Sequence, residues 1–510
     1  MKLYKIASVL FLLLFFAFHS CNEDTINLKP IGSTEASFFQ NEAEMNQAVM
    51  GVYQKLNFFY QWGNDRILHR IWLLPSDDLT NPGGAPHEIF SSLNGAEGRL
   101  NSFFQFAYQL IARANTVLEK IEQNGSFAYD KDTDTDDWHK GEVLFLRAWM
   151  FFRLWNTYGT APIATNRILS LEEALLPNSS GTQLLDQAIV DLTEAVSLLP
   201  DNWDDANLGR VTKSSARGLL GKSLIFRGTV AGATADFSLA ISALDAINDR
   251  NLAPHFNDNF DAFKENNEES LFEFQANRAP GNANPWVAGG NDDFAVIGEI
   301  NAYYGFFDGK GYGGISRSFS ATASLKAAFE TGDPRIDFTL IPTEENNNIL
   351  KYVIDSTTAY VPGRAGQGLS QNNTRILRYA DVLLLKAEAI VRSGGSLQEA
   401  MDLVNQVRAR ARQSTTDGSL SDIPADYQTP DTPDAALSLI FQERRLELAA
   451  EEGHRWYDLR RRHLAGEIDL TKLDFSSVRD DFTFQEFNLN FPLPEGEVIQ
   501  NPNLNQNTGY

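Results

Sequence analysis

Apolar residues recur at helical spacing over most of the chain. Met45, Ala48, Val49, Val52, Tyr53 and Leu56 fall on one stripe, and Asn41 with Glu44 ahead of them reads as a capping box. A second helix is expected around Leu100 to Ile121. A third runs from Gly141 to Tyr158 and is ended by Gly159 and Pro162. A short motif then repeats. Ala188-x3-Leu192-x2-Ala195 with Pro200 beyond it matches the second helix of a tetratricopeptide unit. Leu220-Gly221 suits the first helix of the next unit, and Ala240-x3-Leu244-x2-Ile247 its second. Ala400-x3-Val404-x2-Val407 returns after a helix expected over Tyr379 to Arg392. Stacked helix pairs account for three such spacings at corresponding places.

The pattern fades twice. Pro75, Pro82, Gly83, Gly84 and Pro86 break the chain after Trp62. From about Asn251 to Asn373 Gly, Asn, Pro and aromatics rise, and only Ser324 to Glu330 looks helical. Long loops in a compact domain are usually functional or disordered, and the aromatic content argues against disorder. Both regions place flat aromatics beside Asn and Asp. Tyr60, Trp62, Trp72, Asp78 and Asn81 belong to the first. Trp286, Tyr303, Tyr304, Phe306, Phe307 and Tyr312, with Asn282, Asn284, Asn291 and Asp292, belong to the second. A sugar ring offers an apolar C–H face and a rim of hydroxyls, so this mixture suits it. The bland alternative is that such aromatics cap the helical core.

The last patterned stretch, AALSLIFQERRLELAAEEGHRWYDLRR from Ala435 to Arg461, follows Thr432-Pro433-Asp434. Those three residues supply an N-cap hydroxyl, a proline at the first helical position and an acid in the first turn. Leu439, Leu446 and Ala450 form a stripe, Glu443 and Glu447 sit one turn apart beside Arg444 and Arg445, and Gly453 can stop the helix. So dense a mixture reads as a solvated face, a buried ion-pair lattice or an active site. The structural readings are favoured, because Arg and Glu on neighbouring turns commonly form packing networks.

The order of residues there, ER-x-x-EL-x-x-EG-x-RW-x-DL-x-R, resembles the C-terminal signature of the SusD/RagB family of nutrient-binding outer-membrane lipoproteins. Other stretches resemble family motifs in the same order. They are LKPIGSTEASFFQNEAEMNQAVMGVYQKL, IARANTVLEKI, GEVLFLRAWMFFRLWNTYG and the closing FPLPEGEVIQNPNLNQNTGY.

Composition and the N-terminus fit an exported protein. At 510 residues, 43% hydrophobic and 22% charged, the chain can bury a large core and holds more than one structural unit. Lys2 and Lys5 precede the uncharged run Ile6 to Phe18, the length of a signal-peptide h-region and too short to span a bilayer. Cys21, the only cysteine, follows after His19-Ser20. Its position resembles a lipobox, with Phe18 where leucine is usual, and Asn22-Glu23-Asp24 resembles a surface-export tag. An acylated Cys21 leaves no thiol for disulfides. Removing residues 1–20 takes away Lys2 and Lys5 and no acid, moving the formal charge from −24 to −26. Such a body repels nucleic acid and anionic membranes.

Other chemistry finds little support. Neither HExxH nor GxSxG occurs. The run Asp130 to Asp137 fails the EF-hand pattern, with Thr135 at position six and Gly141 at position twelve. Gly309-Lys-Gly311-Tyr-Gly-Gly314 lacks the strand-to-helix setting of a dinucleotide loop. The 67 acids offer many carboxylate pairs but mark none.

The resemblance implies a mainly α protein: a SusD-like fold with four tetratricopeptide-like helix pairs and a loop-rich ligand-binding half. Its expected parts are a signal peptide (1–20), a lipidated tether (21–33), an N-terminal region (34–260) and a C-terminal region (261–510). It further implies a non-enzyme without cofactor or metal. Lipid at Cys21 would anchor it on the outer face of the outer membrane, where it captures a glycan for a SusC-like TonB-dependent receptor. The ligand residues are expected among Trp62, Trp72, Asp78, Asn81, Trp286, Tyr303, Tyr304 and Tyr312. The alternatives are a secreted helical-toroid glycosidase and a SusD-like binder of peptides or another non-glycan nutrient.

Overall fold

The computed structural model describes residues 34–60 apart from 36, then 70–81, 93–276, 320–340, 349–352, 372–473 and 484–510. Cys21, Trp62, Trp286, Tyr303, Tyr304 and Tyr312 lie outside these residues, as does the Gly309 to Gly314 motif.

Ten longer helices carry the described architecture: α1 (Glu42–Tyr53), α2 (Gly98–Ala128), α3 (Thr135–Tyr158), α4 (Gln183–Leu198) and α5 (Lys213–Ala231), followed by α6 (Ala235–Asp245), α7 (Tyr379–Arg392), α8 (Leu397–Gln413), α9 (Pro433–Glu447) and α10 (His454–Leu464). Local chemistry starts them where expected. The Asn41 side chain accepts from the Glu44 N–H at 3.1 Å, and the Glu44 carboxylate accepts from the Gln40 N–H at 2.7 Å. Thr432 caps α9 with Pro433 behind it. The acidic run at Asp130 leads into α3, placing Asp136 and Asp137 in its first turn, where they suit the helix dipole.

From α2 to α8 each helix packs on the next. The repeat spacings mark the seams, since Ala188, Leu192, Ala195, Ala240, Leu244, Ala400, Val404 and Val407 are all buried. Two glycines let helices approach closely. A Cβ on Gly141 would lie 2.8 Å from Leu199 of the α4 end, and one on Gly221 would lie 2.5 Å from Leu244 of α6. The pairs α3/α4, α5/α6 and α7/α8 are therefore tetratricopeptide-like. In the fourth, α9 packs on α7 and α8, whereas α10 turns back against α5.

That reversal corrects one expectation. The helix ends at Glu447, and Gly453 begins the next one as its N-cap, at φ +78°. Between them Ala450 (φ +59°) and Glu452 (φ +44°) also hold left-handed backbone. The sharp turn aims Glu447, Glu451 and Glu452 inward, and all three are buried.

Candidate functional site

Two small antiparallel ladders gather the ends of the loop regions. In one, β1 (Leu79–Thr80) pairs with β3 (Ser320–Ala321), Leu79 opposite Ala321 and Thr80 opposite Ser320. The chain leaving at Asn81 and the chain arriving at Ser320 thus meet at one end, although some 240 residues separate them in sequence. In the other, β2 (Ser270–Phe274) pairs with β4 (Thr374–Arg378), Phe274 opposite Thr374. There the Ala276 N–H donates to Asn373 Oδ1 at 2.6 Å, and Asn372 Nδ2 donates to Phe260 O at 2.6 Å and Tyr352 O at 3.4 Å.

Residues 443–455 hold both ladders. Arg455 grips Asp77 with two prongs, Nε to Oδ1 at 2.7 Å and Nη2 to Oδ2 at 2.8 Å. Arg445 donates through Nε to Asp78 Oδ1 (2.7 Å) and through Nη2 to Ser324 Oγ (2.8 Å). Thr322 completes the clamp, its N–H donating to Asp78 O and its hydroxyl to Asp77 O. On the second ladder, Arg378 donates to Glu451 Oε2 (2.8 Å), Glu447 Oε1 (2.6 Å) and Glu269 Oε1 (2.8 Å). Lys351 reaches Glu451 Oε1 at 2.7 Å. Tyr60, the last described residue before 61, donates its hydroxyl to Glu452 Oε2 at 2.8 Å and stacks on Phe274 at 5.0 Å.

The lattice continues through the body. Arg335 joins Asp333 and Glu443, Arg410 joins Glu269 and Glu447, and Arg444 bridges Asp381 and Asp458. Arg461 pairs with Glu388 and Asp458. Arg335 and Arg461 are 0% exposed, so the signature is a buried lattice and not a solvated face. Burial alone would raise the Glu447 carboxyl, but Arg410, Arg378 and Arg335 hold it well below the usual range. Burial pushes Asp77 up as well, yet Arg455 and then Arg445 bring it down to about 2. For Asp78 burial wins, and its carboxyl is raised. Glu452 is also raised by burial, against the pull of Arg153.

Two expected ligand residues are corrected by this geometry. Trp72 is 1% exposed, with the Arg153 guanidinium 4.4 Å over its ring. A Cβ on Gly453 would fall 2.8 Å from Trp72 Cβ, so the indole is wedged under the turn and presents no open face to a sugar. Asp78, also 1% exposed, is taken up by Arg445. Asn81 remains half-buried at the loop end of the first ladder. The residues that sequence reasoning missed are the holders: Arg445, Arg455, Gly453 and Thr322. The first three stand in the signature itself, but their partners lie far away in sequence.

Comparison with known proteins agrees with this architecture. Residues 331–510 match the model of the SusD family, and residues 78–224 match one described as starch-binding, associating with the outer membrane. The spans do not overlap and together cover well over half of the chain. The chain belongs to the SusD/RagB family. It is 26% identical to SusD-like protein P2 of Formosa agariphila, over 100% of both chains. A solved laminarin-binding SusD-like protein shares the fold with a TM-score of 0.72 at 24% identity, covering 92% of this chain and all of the other. Surface glycan-binding protein A of Bacteroides thetaiotaomicron, solved with laminarihexaose, superposes with a TM-score of 0.72 at 20% identity, over 91% of this chain and 99% of the other. SusD/RagB proteins bind rather than catalyse, and this member is a binding protein, not an enzyme.

Proposed function

We propose that the protein captures a glycan at the cell surface and passes it to a SusC-like TonB-dependent receptor in the outer membrane. The pairing of Leu79–Thr80 with Ser320–Ala321 carries this reading. It ties the end of the first aromatic- and Asn/Asp-rich segment to the end of the second, so that a single extended ligand can touch both. Trp62, Trp286, Tyr303, Tyr304 and Tyr312 are the proposed stacking and hydrogen-bonding residues, with Asn81 at the loop base. Trp72 and Asp78 act as buried supports. Cys21 carries the lipid anchor after removal of residues 1–20, residues 21–33 form the tether, and the regions 34–260 and 261–510 build the body.

The laminarin chemistry of two solved relatives and the starch-binding description of the family matched over residues 78–224 make laminarin and starch oligosaccharides the first probes. Titration of the mature chain should show saturable binding of one such oligosaccharide, with no reducing ends released on prolonged incubation. Saturable binding of peptides instead, with every glycan inert, would overturn the glycan reading. Mild detergent extraction from the native membrane should recover a large β-barrel with this chain. Recovery of free monomer alone across several detergents would remove the receptor from the proposal.

A further inference from the structure

Arg167 fixes the point where the N-terminal segment joins the body. Its Nη1 donates to Glu35 Oε1 and its Nη2 to Glu35 Oε2, both at 2.7 Å. Lys120 Nζ lies 2.8 Å from the same carboxylate. The next residues are apolar and unusually bare: Ile168, Leu169 and Leu171 are 43%, 70% and 78% exposed. Ile168 and Leu169 also line a groove of about 410 Å³ with Ile163 and Leu176.

These side chains are held outward by a local lock. The Glu173 N–H donates to Ser170 Oγ at 3.2 Å, and the Leu169 N–H donates to Glu173 Oε2 at 2.7 Å. The backbone is satisfied without covering Leu169 or Leu171. Exposed apolar residues scattered singly need no explanation, but a group at one place does.

The occupant follows from where the tether ends and from charge. Thirteen residues, 21–33, extend at most about 45 Å and as a flexible coil span roughly 20 Å. The Arg167 face is therefore the part of the body that an anchor at Cys21 holds nearest the bilayer. Lys120 and Arg167 are already paired, and Glu172 and Glu173 stand exposed beside them, so electrostatic attraction to anionic headgroups does not operate here. Apolar insertion does not need it.

We propose that Ile168, Leu169 and Leu171 form a lipid-facing patch that seats the body on the bilayer surface. The patch rests on the reading of Cys21 as acylated. It fixes the orientation of the body, so that the anchor does not act as a swivel.

The test uses the full lipidated chain in palmitoyl-oleoyl-phosphatidylcholine vesicles, with and without brominated lipid. A bimane is attached through Leu169→Cys, and in a second sample through Leu420→Cys, an exposed position in the segment after α8. Both chains should float with the vesicles. Bromine should quench the probe at 169 by roughly half or more, as expected for a side chain at the headgroup boundary, and leave 420 unchanged. Raising the salt should alter neither. Flotation with 169 no more quenched than 420 overturns the patch and leaves the anchor standing. A probe at 169 that is shielded yet unquenched also overturns it, in favour of a protein cover. Failure to float overturns the acylation reading and the patch together.

Discussion

The first and last thirds of the described body are both helical and closely packed, yet different forces hold them. Around α1 to α3 the interior is aromatic: Phe59, Phe103 and Trp149 meet edge to face at 5.7–5.8 Å, and Phe103 lies against Tyr158 at 6.0 Å. Around α7 to α10 an apolar seam that includes Leu384, Val404 and Ile440 is joined by a lattice of Arg, Asp and Glu, several of them wholly buried. Apolar burial is strong but has no direction. A buried ion pair gives little net stability, because desolvation offsets most of the attraction, yet it fixes geometry. The lattice sits where geometry is needed. It reaches from the α9–α10 turn to Asp77 and Asp78, to Lys351 and to Arg378, which are the footings of the loop regions.

Removing one member from each region gives the largest expected effects and separates the two roles. Arg378→Ala takes away the cation shared by Glu269, Glu447 and Glu451, leaving three buried carboxylates to Arg410, Arg335 and Lys351, and should cost about 3–5 kcal/mol in urea unfolding. Phe103→Ala should cost a similar amount, about 3–5 kcal/mol, through its cavity. Only the first should also weaken glycan binding by the folded fraction, since it loosens the β4 footing. Equal loss of binding in both variants would erase the distinction.

Gly453→Ala attacks the turn itself. It adds a Cβ at φ +78° that meets the Trp72 backbone oxygen at 2.9 Å, and it should cost about 2–4 kcal/mol in thermal or urea unfolding. A variant as stable as the parent would mean that the turn yields easily, and the footing would not be rigid.

The Asp77 clamp predicts a pH dependence. In the unfolded chain its carboxyl titrates near 3.8, and in the folded one near 2. The stability from that pairing is whole above about pH 4 and drains away as the pH falls through 2. The stability gap between the parent and Asp77→Asn should therefore shrink by about 2 kcal/mol between pH 5 and pH 2. A constant gap would show that the charge of Asp77 contributes nothing.

The smallest change in binding separates the two tryptophans. Trp286→Ala should weaken binding about tenfold, or about 1.4 kcal/mol, with an unchanged melting temperature. Trp72→Ala should instead lower stability, as a buried indole does on truncation. Calorimetric titration beside melting curves reads both, and the reverse outcome would exchange their roles.

Much of the fold was legible in the sequence because its signals are local. The 3.6-residue stripes of α1 to α3, the caps at Asn41 and Thr432, and the Ala/Leu spacings of α4, α6 and α8 need only neighbours within a turn or two. The family signature at 435–461 was readable for the same reason. Tertiary structure alone decided what that signature does. Nothing near Arg445 or Arg455 in sequence names Asp78 or Asp77 as partners, which stand 367 and 378 positions away. Trp72 shows the same limit: an aromatic beside a Pro- and Gly-rich stretch looks like a platform, and only the closeness of Gly453 makes it core. Gly453 itself signals a break in the helix by its composition, but whether it ends α9 or begins α10 depends on where the carboxylates of Glu447, Glu451 and Glu452 find cations. Periodicity records which face of an element is buried. Which distant charge neutralises a buried one is settled only when the elements meet, because the cost of leaving it unpaired arises only inside the packed interior.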